Sequence, residues 1–146
     1  MSRLTVNEAG TSGYTDEVIL TPGDFTTAAG NTTTVVNFPV KAGDLIDAVA
    51  LQVTEAFSVS SNITIGPDGT ARTAGASANG FIENDNANAT GLSVNTGDLL
   101  DDGGGANENR FKADADGNIT ITAASALDVS TSGKMRVLFS VKRVDF

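Results

Sequence analysis

The sequence predicts an all-β protein, an antiparallel two-sheet β-sandwich that is jelly-roll-like and carries an N-terminal arm. Its 16 glycines and many Thr, Ser, Asn and Asp residues separate short apolar runs, a composition typical of β-proteins with many turns. Within those runs apolar residues recur with a period of two, as strands require, and no segment has a convincing helical period. About eight to ten strands without crossover helices imply antiparallel sheets.

The longest such run, residues 45–57 with the sequence LIDAVALQVTEAF, is the strand around which we expect the fold to form. Burying its five odd-numbered apolar side chains contributes about 10 kcal/mol, whereas ordering the backbone costs about 1 to 2 kcal/mol for each residue. The strand is therefore stable only in a sheet whose other strands bury apolar faces of their own. The five side chains are Leu45, Val49, Leu51, Val53 and Phe57.

The segments on either side of this strand supply such neighbours. Residues 16–21 form a short apolar run that a Pro22-Gly23 turn closes, and residues 31–40 are rich in Thr and Val. Pro39 cannot donate to a strand ladder, so we expect it at a strand end or a sheet edge. Residues 59–65 alternate again and predict a further strand.

The C-terminal half predicts long loops with short strands, followed by the clearest half-buried strand. Residues 72–109 are rich in Ala, Asn, Gly and Asp, and within them we expect residues 91–100 to be at least partly ordered. The sequence ADADG between residues 110–113 and 118–123 predicts a hairpin with a tight Asp-Gly turn. The last strand, residues 134–146, has an apolar face formed by Met135, Val137, Phe139 and Val141.

A chain of 146 residues has the size of one domain. We divide it into residues 1–24, an N-terminal arm with the first short strand, and residues 25–146, a single β-sandwich domain. The chain contains no cysteine, so its stability comes from packing or from subunit association. No run approaches the roughly 18 apolar residues of a membrane span, and the N-terminus lacks a signal-peptide core. We expect a soluble protein, made in the cytoplasm, without a membrane partner.

Charge and reactive residues exclude several function classes. Eighteen acids against nine bases give a net charge of −9, which argues against nucleic acid as a partner. Without histidine or cysteine, the chain lacks the usual general base, the nucleophile pairs and the commonest zinc ligands. A carboxylate pair could still hydrolyse glycosides, but we interpret the acids of the middle segment as solvated loop charges and expect no enzyme and no cofactor. Those acids are Glu83, Asp85, Asp98, Asp101, Asp102 and Glu108.

One segment resembles a calcium loop in spacing only. Asp114, Asp116 and Asn118 stand at the first, third and fifth positions of an EF-hand-type loop. The sixth position is Ile119 rather than Gly, and the twelfth is Ser125 rather than Glu. We therefore expect an Asp-Gly turn here and no metal site.

The charges are distributed unevenly along the chain. Residues 83–108 hold six acids and no base, whereas the last thirteen residues include Lys134, Arg136, Lys142 and Arg143. Two interpretations stay open for these cations: a solvated outer strand face that discourages edge pairing, or a docking face for an acidic partner.

The order of segments resembles a known group of proteins. A Thr-rich strand runs into FPVKAGDLIDAVALQVTEAFS, then come SNITIG, an Ala/Asn/Gly-rich middle and the closing GKMRVLFSVKRVDF. Over residues 25–146 this pattern resembles the small β-sandwich proteins encoded beside the major capsid protein of tailed bacteriophages, which decorate, or cement, the head. The resemblance transfers no functional residue.

The resemblance implies a virion structural protein that is made in the host cytoplasm, binds the exterior of the capsid and stabilises it. Its partners would be the major capsid protein and further copies of itself, with a trimer favoured. The contact residues that we expect are in the arm and the basic last strand: Leu4, Val6, Arg136, Lys142 and Arg143. The alternatives are a tail or fibre-base component and a carbohydrate-binding module, against which stand the absence of Trp and the single Tyr.

Overall fold

The computed structural model describes residues 2–5, 14–27, 33–67, 80–94, 96 and 111–143. Two 3-10 turns, Pro22–Asp24 and Leu127–Val129, accompany the strands. In chain order the described strands are β1 (Ser2–Thr5), β2 (Asp16–Leu20), β3 (Thr26–Thr27), β4 (Thr34–Val40), β5 (Leu45–Glu55), β6 (Asn62–Pro67), β7 (Ile82–Asn86), β8 (Gly91–Val94), β9 (Phe111–Lys112), β10 (Gly117–Ala123) and β11 (Lys134–Lys142).

These strands form two antiparallel sheets packed face to face. Sheet A has the order β1-β2-β11-β5-β8, and β9 pairs with β5 on the same side as β8. Sheet B has the order β3-β4-β10-β6-β7. The central orders β2-β11-β5-β8 and β4-β10-β6-β7 interleave strands from both halves of the chain, which is the strand order of a jelly roll. The predicted fold class is confirmed.

The core lies between the two sheets. Phe38 of sheet B stacks on Phe139 of sheet A, with ring centroids 4.2 Å apart and planes 23° apart. Phe81 and Phe111 add an edge-to-face pair at 5.4 Å. Stacked and edge-to-face rings contribute about 0.5 to 1.5 kcal/mol each beyond their buried area. All four apolar residues that we predicted to face inward from β11 are buried.

The alternation of β5 is interrupted at Asp47. Ala48 and Ile46 lie opposite consecutive residues of β11, which leaves Asp47 as the extra residue of a β-bulge. A bulge shifts the alternation by one residue, so Ile46 is fully buried whereas Leu45 is only half-buried. The prediction that Leu45 faces the core is therefore wrong. Burial of the other four is confirmed: Val49, Leu51, Val53 and Phe57.

The predicted hairpin around ADADG does not form. β9 pairs with β5 in sheet A and β10 pairs with β4 and β6 in sheet B, so the connection between them crosses from one sheet to the other. The Gly43 N–H donates to the Ala113 carbonyl at 2.8 Å, and the Ala113 N–H donates to the Asp44 carbonyl at 2.9 Å. These long-range bonds prevail over the local Asp-Gly turn.

Hydroxyl groups join two loops at the other end of β5. Ser130 Oγ donates to the Ser132 carbonyl at 2.6 Å, which uses its only proton. Ser58 is therefore the donor in the 2.9 Å contact between Ser58 Oγ and Ser130 Oγ. The Thr131 N–H donates to Ser58 Oγ at 2.9 Å. The segment after β5 is thus fixed against the segment before β11.

Candidate partner-binding surface

The outer face of sheet A points away from the core. On this face the predicted contact residue Arg136 belongs to a row of side chains that crosses four strands. Opposed residues of antiparallel strands share a face. Arg136 lies opposite Ile19 of β2 and Gln52 of β5, and Gln52 lies opposite Leu92 of β8. The row therefore runs from β2 to the β8 edge.

A second row on this face is mainly apolar. Leu138 lies opposite Glu17 of β2 and Ala50 of β5, and Ala50 lies opposite Val94 of β8. Of these four residues only Val94 is exposed. The predicted arm residue Leu4 is in β1, where its register position is opposite Glu17. The other predicted arm residue, Val6, lies outside the described residues.

Arg136 links three strands. Its Nε donates to Glu17 Oε1 at 2.8 Å, and one of its terminal nitrogens donates to Gln52 Oε1 at 3.3 Å. Only 5% of the Glu17 side chain is exposed. A hydrogen bond to a charged group contributes about 1.5 to 3 kcal/mol, and a buried carboxylate without one is costly. Arg136 therefore stabilises the sheet whether or not a partner binds.

The other two predicted cations are also in ion pairs within the chain. Arg143 donates to Asp16, whose side chain is only 5% exposed. Lys142 Nζ lies 2.9 Å from Asp47 Oδ2, at the bulge of β5, and both side chains are accessible to solvent. The attraction for an acidic partner is thus smaller than the sequence count of cations suggests, because each of the three positive charges faces a carboxylate.

The sequence reasoning missed the exposed apolar edge of sheet A. Leu92 is 62% exposed and Val94 is 45% exposed, and both belong to the outer rows. The signal that could have revealed them is the segment 86–97, NANATGLSVNTG, which contains no charged residue. Two hydrogen bonds hold this segment in place: Asn88 Nδ2 donates to the Phe57 carbonyl at 2.8 Å, and the Glu83 N–H donates to Thr96 Oγ1 at 3.1 Å.

The structure describes two of the six acids that were considered as a catalytic carboxylate pair. Glu83 and Asp85 lie in β7, at the edge of sheet B. The other four acids, Asp98, Asp101, Asp102 and Glu108, lie outside the described residues. In the part of the chain that is described, no group of three or more acids is arranged to hold a metal ion.

In the calcium-like segment, Asp116 binds the turn at residues 41–44. The Ala42 N–H donates to Asp116 Oδ1 at 2.9 Å, and Lys41 Nζ lies 3.6 Å from Asp116 Oδ2. This hydrogen bond, and secondly the Lys41 charge, hold the pKa of Asp116 below its usual value of 3.8. Asn118 lies in β10 opposite Pro39 of β4, on a different sheet from β9.

We expect Asp116→Asn to lower the melting temperature at neutral pH and this difference to shrink in acid. A carboxyl group whose pKa is lowered by folding adds stability above its unfolded pKa and loses it as the pH falls through the folded pKa. The difference in melting temperature should therefore begin to shrink as the pH falls toward 3.8 and should vanish below the lowered pKa of folded Asp116. Lys41→Gln removes only the second cause, so its effect should be smaller. A difference that is independent of pH would contradict this assignment.

Comparisons with protein-family models, with curated proteins and with solved structures returned no match. Within the described ranges, no helix has the length and hydropathy needed to cross a membrane.

Proposed function

We propose that this chain is a virion structural protein that binds the outer surface of a bacteriophage capsid and stabilises it. The observation that carries the proposal is the jelly-roll sandwich in which one sheet presents an outer face of paired charges and ends at an exposed apolar edge. The exposed residues of this face and of its β8 edge supply contact area, and decoration of a shell requires area and rigidity rather than reactive groups. A specific contact buries about 800 Å² per partner.

The fold agrees with this proposal without deciding it. Viral capsid domains and lectins both use jelly rolls, and a fold alone does not imply a function. The proposal therefore depends equally on the order of segments that resembles head decoration proteins. Repeated contacts around a shell reinforce one another even when each is weak. A symmetric oligomer, with a trimer favoured, stays a prediction.

A carbohydrate-binding module is less well supported. Sugar-binding faces commonly use exposed aromatic rings. Among the described residues the phenylalanines are all buried in the core: Phe25, Phe38, Phe57, Phe81, Phe111 and Phe139. Tyr14 is partly buried.

The proposal is tested by isolating the native assembly that contains the chain and locating it by electron microscopy. We expect a regular array of copies on the outside of the head, in a fixed ratio to the major capsid protein. Density confined to the tail or the fibre base would favour the tail alternative. A chain that is recovered without particles would contradict the proposal.

A charge-swapped pair tests whether the basic last strand makes the contact. Lys142→Glu combined with Asp47→Lys reverses the ion pair and keeps it, because both side chains reach solvent. We expect unchanged thermal stability and a several-fold loss of capsid occupancy at moderate salt if Lys142 faces the capsid. Unchanged occupancy would remove Lys142 from the interface. Triple substitution of Arg136, Lys142 and Arg143 by Glu is less informative, since it also removes the cations beside two buried carboxylates.

A further inference from the structure

The edges of the two sheets differ in how they are protected against pairing with other chains. Natural sheets protect edge strands by shortness, charged residues or proline. β3 and β9 have two residues each, and β9 includes Lys112. β7 carries two acids, and the sequence of β1 includes Arg3. β8 has four residues, none of them charged or proline, and two of them are exposed and apolar.

Within the described ranges, the β8 edge is also unpaired on its outer side and is fixed in position. It pairs with β5 on one side, and no described strand pairs with its other side. Leu92 and Val94 keep exposures of 62% and 45%. The hydrogen bonds of Asn88 and Thr96 hold the chain before and after the strand, so little ordering is needed on binding.

We propose that the free edge of β8 is an interface between two copies of this chain, which pair antiparallel across β8 about a two-fold axis at Ser93. Copies of net charge −9 repel each other, so they associate best through a surface without charge. The uncharged segment 86–97 provides one. The proposal is independent of capsid binding, and it predicts a two-fold pair where the resemblance favours a trimer.

The geometry of such a pair is self-complementary. A two-fold axis perpendicular to the sheet keeps the outer face outward, and residues opposite each other then share a face. With the axis at Ser93, Leu92 of each copy lies opposite Val94 of the other copy, so this contact occurs twice in the pair. Sheet A continues across both copies, and the four exposed apolar side chains form one patch. Two four-residue strands cover much less than the roughly 800 Å² per partner of a stable complex, so the dimer should be weak.

Sedimentation of the full chain across a hundredfold concentration range, reaching about 1 mM, tests the interface. We expect the average mass to rise toward that of a dimer. Leu92→Lys should raise the dissociation constant at least about tenfold, because each substitution occurs twice in a symmetric pair. Val129→Lys is the matched control, since Val129 is 67% exposed but lies in the 3-10 turn. It should leave the dissociation constant unchanged.

Cross-linking provides a second readout, because the chain contains no cysteine. Opposed residues in antiparallel strands have Cα atoms about 4.5 to 5.5 Å apart, within reach of a disulfide. Oxidised Ser93→Cys should therefore form a covalent dimer, whereas Asn37→Cys, exposed on sheet B, should not. The proposal would be overturned if the chain were a monomer at every concentration or a trimer. It would also be overturned if Leu92→Lys associated as the wild type does, or if both cysteine variants cross-linked equally.

Discussion

Replacement of Gly133 by alanine is expected to lower the free energy of unfolding by about 2 to 6 kcal/mol, the sum of a backbone term and a packing term. Gly133 has a φ of 132°, which residues with a side chain rarely adopt. An added Cβ would also lie 2.3 Å from Cγ of the fully buried Phe57 ring. The backbone strain and the steric clash cannot relax easily, because hydrogen bonds of the Ser130 hydroxyl group fix the adjacent segments. Urea denaturation measures the loss.

Two further variants make this test specific. Gly91→Ala has nothing within 4 Å of the added Cβ, so it should change stability by less than about 1 kcal/mol. The double variant Phe57→Leu with Gly133→Ala should lose less than the sum of the two single variants, since the smaller side chain relieves the packing term. If Gly133→Ala were as stable as Gly91→Ala, the close approach of Gly133 to Phe57 would be refuted.

Local pattern predicts the strands of this protein better than their connections. The apolar face of β11 follows from alternation alone, because burial on one side of a sheet has a period of two. The bulge at Asp47 does not, since it depends on the register between β5 and β11, which are distant in sequence. The sequence ADADG is misleading for the same reason. Asp116 accepts from Ala42, 74 residues away, instead of closing a hairpin, and the local sequence does not contain this information.

The candidate surface shows the same limit. Sequence alternation correctly assigns Arg136 to the outer face of the last strand. Alternation does not predict that the buried Glu17, 119 residues earlier, lies beside Arg136. The sequence around either residue does not indicate which strand will be its neighbour. Leu92 and Val94 are different, since the uncharged segment around them is visible in the sequence and only its edge position required the structure.

Charge compensation bears on the proposed capsid contact. Arg136 and Lys142 of β11 each face a carboxylate, as does Arg143 directly after the strand, so this part of the protein is closer to neutral than a chain of net charge −9 would suggest. A nearly neutral surface would approach an acidic capsid with less repulsion than the remaining surface. Its binding would then depend on apolar area and shape more than on salt.

Arg136→Gln is expected to lower the free energy of unfolding by about 2 to 4 kcal/mol. Breaking a buried pair costs about 3 to 5 kcal/mol, and the cost should be smaller here because 27% of the Arg136 side chain is exposed. The loss arises from Glu17, whose carboxylate would stay buried without its cation. Denaturant titration at neutral pH measures it. Lys142→Gln is the control, and because 61% of the Lys142 side chain is exposed it should cost less than about 1 kcal/mol.

The double variant Glu17→Gln with Arg136→Gln separates the role of Arg136 in the fold from a role in binding. Once Glu17 is neutral, the missing cation matters less, so the double variant should be more stable than Arg136→Gln alone. Equal stability of Arg136→Gln and Lys142→Gln would refute the role of the Glu17 pair. If the double variant also occupies capsids as the wild type does, Arg136 stabilises sheet A and is not a contact residue; if occupancy falls while stability is regained, its charge acts at the interface.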